Sequence, residues 1–445
     1  MHPSRATPYP SVFFAAAALL AAPGHALSLH DAQEILFKDN PDLTVMRLEV
    51  ERSESQLQEA KAAWLPSLDA IGNYTYTSEV SHLTLNLPIP PPNGTQMDRP
   101  IGDHDKAELG LDAGYALFTG FSRGKNVEAK RAGVQAREAQ WRAARNQMSM
   151  RLAALYYAWQ SAGTQAAYQE KALEHARELQ KQLQDFVRAG TAVRSRALAA
   201  EAKAKASEVE LLSYQNMRDS LAYEVLDFLG GGDSSGTVSP DMLTRDTAAL
   251  PEPAWDTADA ASPRRPETEA IDRSMAQARY GSQALSGQKL PQLFGMAGVR
   301  YANPGLDLDG DEFMPYGVLG LQLKWNLFDG AKNRSQRKQL EVQGRILKEQ
   351  QRKLGNDWRK AMLTSRLQYS RWSAQFEAAK ASRAAAAASA ADLKRQFEAG
   401  VATGLDWLEA TNNQAWAEMM MEQARTMQRL ALLQWQYASG KELRF

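Results

Sequence analysis

The chain has 445 residues, 52 of them basic and 52 acidic, and it contains no cysteine. Balanced charge argues against nucleic acid as the partner, because holding a phosphate backbone requires a surplus of Lys and Arg. The missing cysteine excludes thiol catalysis, thiolate metal sites, disulfides and an acylated N-terminal cysteine, and the few histidines form no HExxH or other close ligand pair.

Residues 1–26 differ from everything that follows. Arg5 precedes the apolar run Ser11 to Ala22, and the segment ends at Ala26 with small residues at its last and third-last places, the pattern of a secretory signal. No later apolar stretch approaches the ~18 residues that a membrane-spanning helix needs. Residues 27–229 read as a first structural repeat that begins with a helix. A strand pair then spans residues 68–118, Leu68 to Thr77 and Ala107 to Phe118, joined by a long loop holding LPIPPPNGT. No proline occurs between Pro100 and Pro240, and helix formers dominate from Gly120 onward. Ala172, Ala176, Leu179, Leu183 and Phe186 step by four and three, which is a coiled-coil seam. A continuous helix over that stretch would be roughly 100 Å long, too long for a compact globule. It should turn near residue 190, at Gly190, Thr191 and Ala192, and return as a second helix.

Residues 230–265 are rich in Gly, Asp, Pro and Ser and read as a linker or an irregular collar; GGGDSSG lacks the Lys of a phosphate loop. Residues 266–440 repeat the plan: a helix, a hairpin over 293–328, and a long helix that turns near residue 400, at Gly400, Val401 and Ala402. The alternation is clearest in YGVLGLQLKWNLF, where Leu319, Leu321, Leu323, Trp325 and Leu327 alternate with polar or small residues. The hairpin's LDLDGDE tip lacks the acid that an EF-hand requires six residues after its glycine. Residues 441–445 form a short tail.

Three landmarks recur in order: WLPSL with KLPQL, ALFTG with NLFDG, and the two Ala-Gly breaks. The last two pairs are 210 residues apart and the first 225, so the chain is an internal duplication. Two hairpins give four amphipathic strands, too few to close a membrane barrel, so a lipid-facing sheet must pool strands with other copies.

Signal sequence, LP-x-L strand, LF-x-G exit, Ala-Gly break, acid-x-L-x-A-like restart and duplication together resemble the TolC family of outer-membrane efflux proteins. FEAGVATGLDWLEA carries the likeness most strongly. The resemblance implies a mainly α fold with a β-barrel part: a homotrimer whose twelve strands form one barrel in outer-membrane lipid, continued by a coiled-coil periplasmic tunnel. It implies a passive exit duct for a tripartite efflux pump or type I secretion system, served by an inner-membrane transporter and a periplasmic adaptor (membrane-fusion) protein that docks at the turns near 190 and 400. No enzyme activity, cofactor, metal or nucleic acid is implied. The alternative of a different class is a soluble periplasmic coiled-coil adaptor or scaffold.

Asp406 and Glu409 lie one helical turn apart. The resemblance makes them a charge ring at the periplasmic mouth, whereas Thr403-x-x-Asp406 also fits a local capping box. Arg196 is the first-repeat equivalent of Asp406 and reads either as its partner in a gating ion pair or as an exposed charge. Phe397 and Ala402 depart from the tyrosine and basic residue common in the family at these places.

Overall fold

The computed structural model describes residues 27–86, 96–101, 103–230, 242–246, 265–306 and 312–445. The signal-like segment, the LPIPPPNGT stretch, most of the 230–265 segment and the centre of LDLDGDE therefore lie outside the described residues. The chain divides into two compact units: Met1–Pro41, Gln147–Trp255 and Met362–Phe445 form one, and Asp42–Asn146 with Asp256–Ala361 form the other.

The second of these units holds the sheet. Helix α1 (Leu29–Asp39) lies in the other unit and ends at Asn40, whose backbone is extended, as a residue before proline prefers. Helix α2 (Pro41–Ala62) then starts with a proline in its first turn, and α5 (Pro266–Gly287) does the same after Arg265. Both helices have 22 residues and run into their LP strand, so the duplication fixes them at an offset of 225.

Strands β1 (Ser67–Tyr76), β4 (Asp105–Phe118), β5 (Gln292–Asn303) and β6 (Met314–Lys324) form one antiparallel sheet in the order β1-β4-β5-β6. Its register aligns Leu68, Ala113, Ala297 and Leu319 in one row across all four strands. That face also carries Leu109, Leu111, Val299, Leu321 and Leu323 and is bare: Leu319 is 88% exposed and Leu321 72%. A core-facing sheet would bury this row. On the opposite face Arg300 bridges Asp112, with Nη2 to Oδ2 at 2.8 Å, and its Nε reaches Glu108 at 2.5 Å.

Two features differ from the sequence reading. The long loop of the first hairpin contains a two-stranded ribbon, β2 (Ser81–Asn86) with β3 (Gln96–Ile101). Pro100 disfavours a strand in sequence, but in a ribbon every strand has a free edge where the missing N–H costs nothing. Strand β6 stops at Lys324, and Trp325 instead donates its indole N–H to the Lys289 carbonyl at 3.1 Å.

Each LF-x-G exit is a turn with two consecutive left-handed residues, Gly120-Phe121 and Gly330-Ala331, closed by Ser122 N–H to Thr119 and Lys332 N–H to Asp329. Helices α3 (Ser122–Arg188) and α6 (Lys332–Glu398) follow, both of 67 residues, and each runs from one unit into the other. In the helical unit α4 (Arg194–Gly230) and α7 (Gly404–Ala438) complete the set. The predicted seam is buried at Ala172, Ala176 and Leu183 and opens at Phe186, next to the turn.

Candidate functional site: the paired helix turns

Both long helices end in the same hydrogen-bond pattern. Thr191 N–H reaches back to Phe186 and Gly190 N–H to Val187, at 2.9 and 3.1 Å; Val401 N–H reaches Gln396 and Gly400 N–H reaches Phe397, at 2.8 and 2.9 Å. These are Schellman closures, and they place Gly190 and Gly400 at φ +71° and +74°, where a Cβ is unfavourable. Nothing lies within 4 Å of either missing Cβ, so backbone conformation alone selects glycine here. Val401 is 77% exposed and Val193 62%, so each turn presents an apolar side chain to solvent.

The restarts differ. Helix α7 is capped by Thr403, whose hydroxyl accepts from Asp406 N–H at 3.3 Å while the Asp406 carboxylate accepts from Thr403 N–H at 3.0 Å and from its hydroxyl at 2.6 Å. The hydrogen bonds from the Thr403 side chain and backbone hold the Asp406 carboxyl below the ordinary aspartate range. The capping box expected from Thr403-x-x-Asp406 is therefore formed. Glu409 is exposed on the next turn. In the first repeat Val193 and Arg196 take the places of Thr403 and Asp406, and the first turn of α4 has no acid. Arg194 and Arg196 sit instead at the positive end of its dipole. Arg196 is exposed, and the Asp406 carboxylate is held by Thr403, not by Arg196.

Around the second turn Phe397 stacks on Trp407 with centroids 5.6 Å apart. Gly404 lets the end of α3 approach α7, since a Cβ there would lie 2.6 Å from Gln182 Oε1. Between them is a recess of about 280 Å³ lined by Leu179, Gln182, Leu183, Phe186, Phe397, Ala402, Thr403, Gly404 and Leu405. Farther along, Lys171 pairs with Glu418 at 3.0 Å and Arg177 with Glu208 at 3.3 Å, tying α3 to α7 and to α4.

Sequence reasoning missed a second built cluster, around residues 242–246 of the inter-repeat segment. Leu27 N–H bonds to Met242, and Thr244 N–H returns to Leu27 at 3.1 Å. Gln160 and Asp246 exchange two bonds, the Tyr157 hydroxyl donates to the Asp246 carboxylate at 2.8 Å, and Arg429 pairs with that carboxylate at 2.9 Å. The Tyr156 hydroxyl donates to the Thr244 carbonyl. Burial pushes the Tyr156 phenol up to about 12 and raises Tyr157 further, so both stay neutral donors. The signal in the sequence was the YYAWQ run of α3, which puts tyrosines and an amide on a buried stretch that needs polar partners.

Among the described residues no group of three His, Asp or Glu is arranged to hold a metal, and no helix is long and apolar enough to cross a membrane.

Residues 34–231 and 258–441 match the family model described as outer membrane efflux protein. The fold superimposes on VceC, an outer membrane protein of Vibrio cholerae, with a TM-score of 0.70 at 18% identity, covering 93% of this chain and 96% of that one. The CmeC outer membrane channel of Campylobacter jejuni gives 0.74 at 15% identity, with 94% and 86% covered. The open state of the MtrE outer membrane channel of Neisseria gonorrhoeae gives 0.69 at 16%, with 100% and 98% covered. No curated protein matches the sequence.

Proposed function

Because the chain belongs to the outer membrane efflux protein family, whose model covers both of its repeats, we propose that it is the trimeric exit duct of a tripartite pump or type I secretion system. It resides in the outer membrane and extends into the periplasm. The observation that carries the reading is the four-stranded sheet with two unpaired outer strands and a bare apolar face: in lipid such edges must be closed by strands from other copies. A soluble adaptor would bury that row, and the family match speaks against it.

In this reading an inner-membrane transporter supplies energy and a periplasmic adaptor docks on the turns at Gly190, Thr191 and Ala192 and at Gly400, Val401 and Ala402. Their exposed valines give the adaptor an apolar purchase that the charged helix flanks lack. Asp406 and Glu409 from each copy line the periplasmic mouth as a ring of carboxylates, and Asp406 serves both as cap and as ring charge. Arg196, which makes no ion pair among the described residues, pairs with Asp406 of a neighbouring copy in the closed mouth. Replacing Thr191 and Val401 by Trp tests the docking site: export should be lost while oligomer mass and membrane insertion stay unchanged. Persisting export would place the docking surface elsewhere.

A further inference from the structure

Strand β4 alternates Leu109, Leu111 and Ala113 with Glu108, Gly110 and Asp112, so two acids stand on the polar face of the sheet with a glycine between them. Arg300 of β5 is the cross-strand partner of that glycine, and Gly298 is the partner of Asp112. The guanidinium therefore meets a carboxylate on either side. Nη2 donates to Asp112 Oδ2 at 2.8 Å and Nη1 to Asp112 Oδ1, while Nε donates to Glu108 Oε1 at 2.5 Å. Two-point pairing with Asp112 fixes the plane of the fork as well as its position.

The two glycines make room for this. A Cβ on Gly110 would lie 2.8 Å from both Cδ and Nη1 of Arg300, and one on Gly298 would lie 3.0 Å from Nη1 and would strike Asp112 Oδ1. Glycine weakens a strand interior, and its use at both places marks a close approach of side chain to backbone. Side chains on a strand ordinarily stand off the sheet. Arg300 instead lies along it, 16% exposed against 32% for Glu108 and 36% for Asp112. Met296 lies the same way over its partner Gly320, where a Cβ would be 2.8 Å from the Met296 Cε. Across the three rows that the guanidinium spans, the charged residues are Asp69, Glu108 and Asp112 against Arg300 alone.

We infer that these two acids and two glycines form a latch that keeps the Arg300 guanidinium away from passing cargo, which makes Arg300 the residue that decides whether anionic cargo is held at this wall. A standing arginine presents a fork matched to carboxylate and phosphate, and each copy would add one at the same level of the sheet. Laid flat between two acids, it presents none, and cargo bearing such groups passes. The inference rests on the duct reading, which makes this face the lumen wall, and adds to it how that wall treats one class of cargo.

The test is block of single-channel current by tripolyphosphate, added in planar bilayers on the side opposite to the helices. Glu108→Gln with Asp112→Asn keeps size while releasing the guanidinium. That double variant should be blocked at a concentration about tenfold lower than the native channel, the usual worth of one hydrogen bond to a charged group. Adding Arg300→Ala should take most of that gain away, because the anion then has no fork to bind. Gly110→Ala displaces the guanidinium without changing any charge, and it gives the same reading should the double variant fail to assemble. A double variant blocked only at the native concentration, or a triple variant blocked as readily as the double, overturns the latch and leaves the duct reading standing. A native chain that inserts no channel overturns both.

Discussion

Thr403 and Val193 occupy equivalent places 210 residues apart and leave their helices in opposite condition. Thr403 satisfies an orphan N–H of α7 and is itself gripped by Asp406; Val193 has no oxygen to offer α4. Thr403→Val should therefore cost about 1 kcal/mol of local stability, the usual worth of an N-cap. Hydrogen exchange at Leu405 to Trp407 should speed up about fivefold, to the level of the first turn of α4. Since Asp406 is held below its ordinary value in the folded chain, its contribution is complete above that value of 3.8 and fades as pH falls through the lower folded one. Exchange protection at this turn should thus be flat from neutral pH to the ordinary aspartate range and drop only below it. The ring role is tested separately, because Asp406→Asn with Glu409→Gln preserves size while removing two charges per copy. The double variant should lose cation preference and polyvalent-cation block in planar-bilayer recordings. Unchanged selectivity with faster exchange would make these residues caps alone. The cap was legible in the spacing Thr-x-x-Asp, since its chemistry is local. The proposed ring rests on the family resemblance instead, because it needs copies of the chain that no spacing within one copy encodes.

At the level of elements, the chain uses left-handed glycine for two different physical purposes. At Gly190 and Gly400 the turn needs the backbone angle and nothing else, so Gly400→Ala should cost about 1–2 kcal/mol and be tolerated. At Gly120 the same angle is combined with a backbone contact to Gly287, which a Cβ would occupy. A side chain could rotate away but a carbonyl cannot, so Gly120→Ala adds an overpacking cost of about 1–3 kcal/mol. Yields of folded protein and thermal melts in detergent should rank the native chain, Gly400→Ala and Gly120→Ala in that order; equal melts for the two variants would mean that α5 shifts freely. The breaks, the helix lengths and the four main strands were readable because each rests on a local period or a single permissive residue. The β2–β3 ribbon was hidden by Pro100, and the early end of β6 by the unbroken alternation through Leu327. Having only one neighbour, β6 has no second ladder to hold Trp325 in line, and the indole finds the Lys289 carbonyl instead. The 242–246 clamp escaped because its partners Gln160, Tyr157 and Arg429 come from distant parts of the chain.

One copy of the chain leaves its sheet unfinished: among the described residues the outer strands β1 and β6 have one sheet neighbour each, and the leucine row is bare. Strand count decides how many copies finish the job. One copy gives four strands, below the smallest membrane barrel; two copies give eight, enough to close, but an eight-stranded barrel is filled by its own side chains or holds at most one small ligand. Three copies give twelve strands, the next multiple of four and the number the proposed duct uses. In the proposed trimer the polar face of the sheet, on which Arg300 is folded between Asp112 and Glu108, forms the wall of the lumen and the bare leucine row faces lipid. Native mass measurement of the detergent-extracted complex should accordingly give three chains, and the complex should be absent from a periplasmic extract made without detergent. A stable dimer would leave no room for cargo and would sink the duct. A monomer recovered without detergent would mean that the leucine row is covered by something other than lipid.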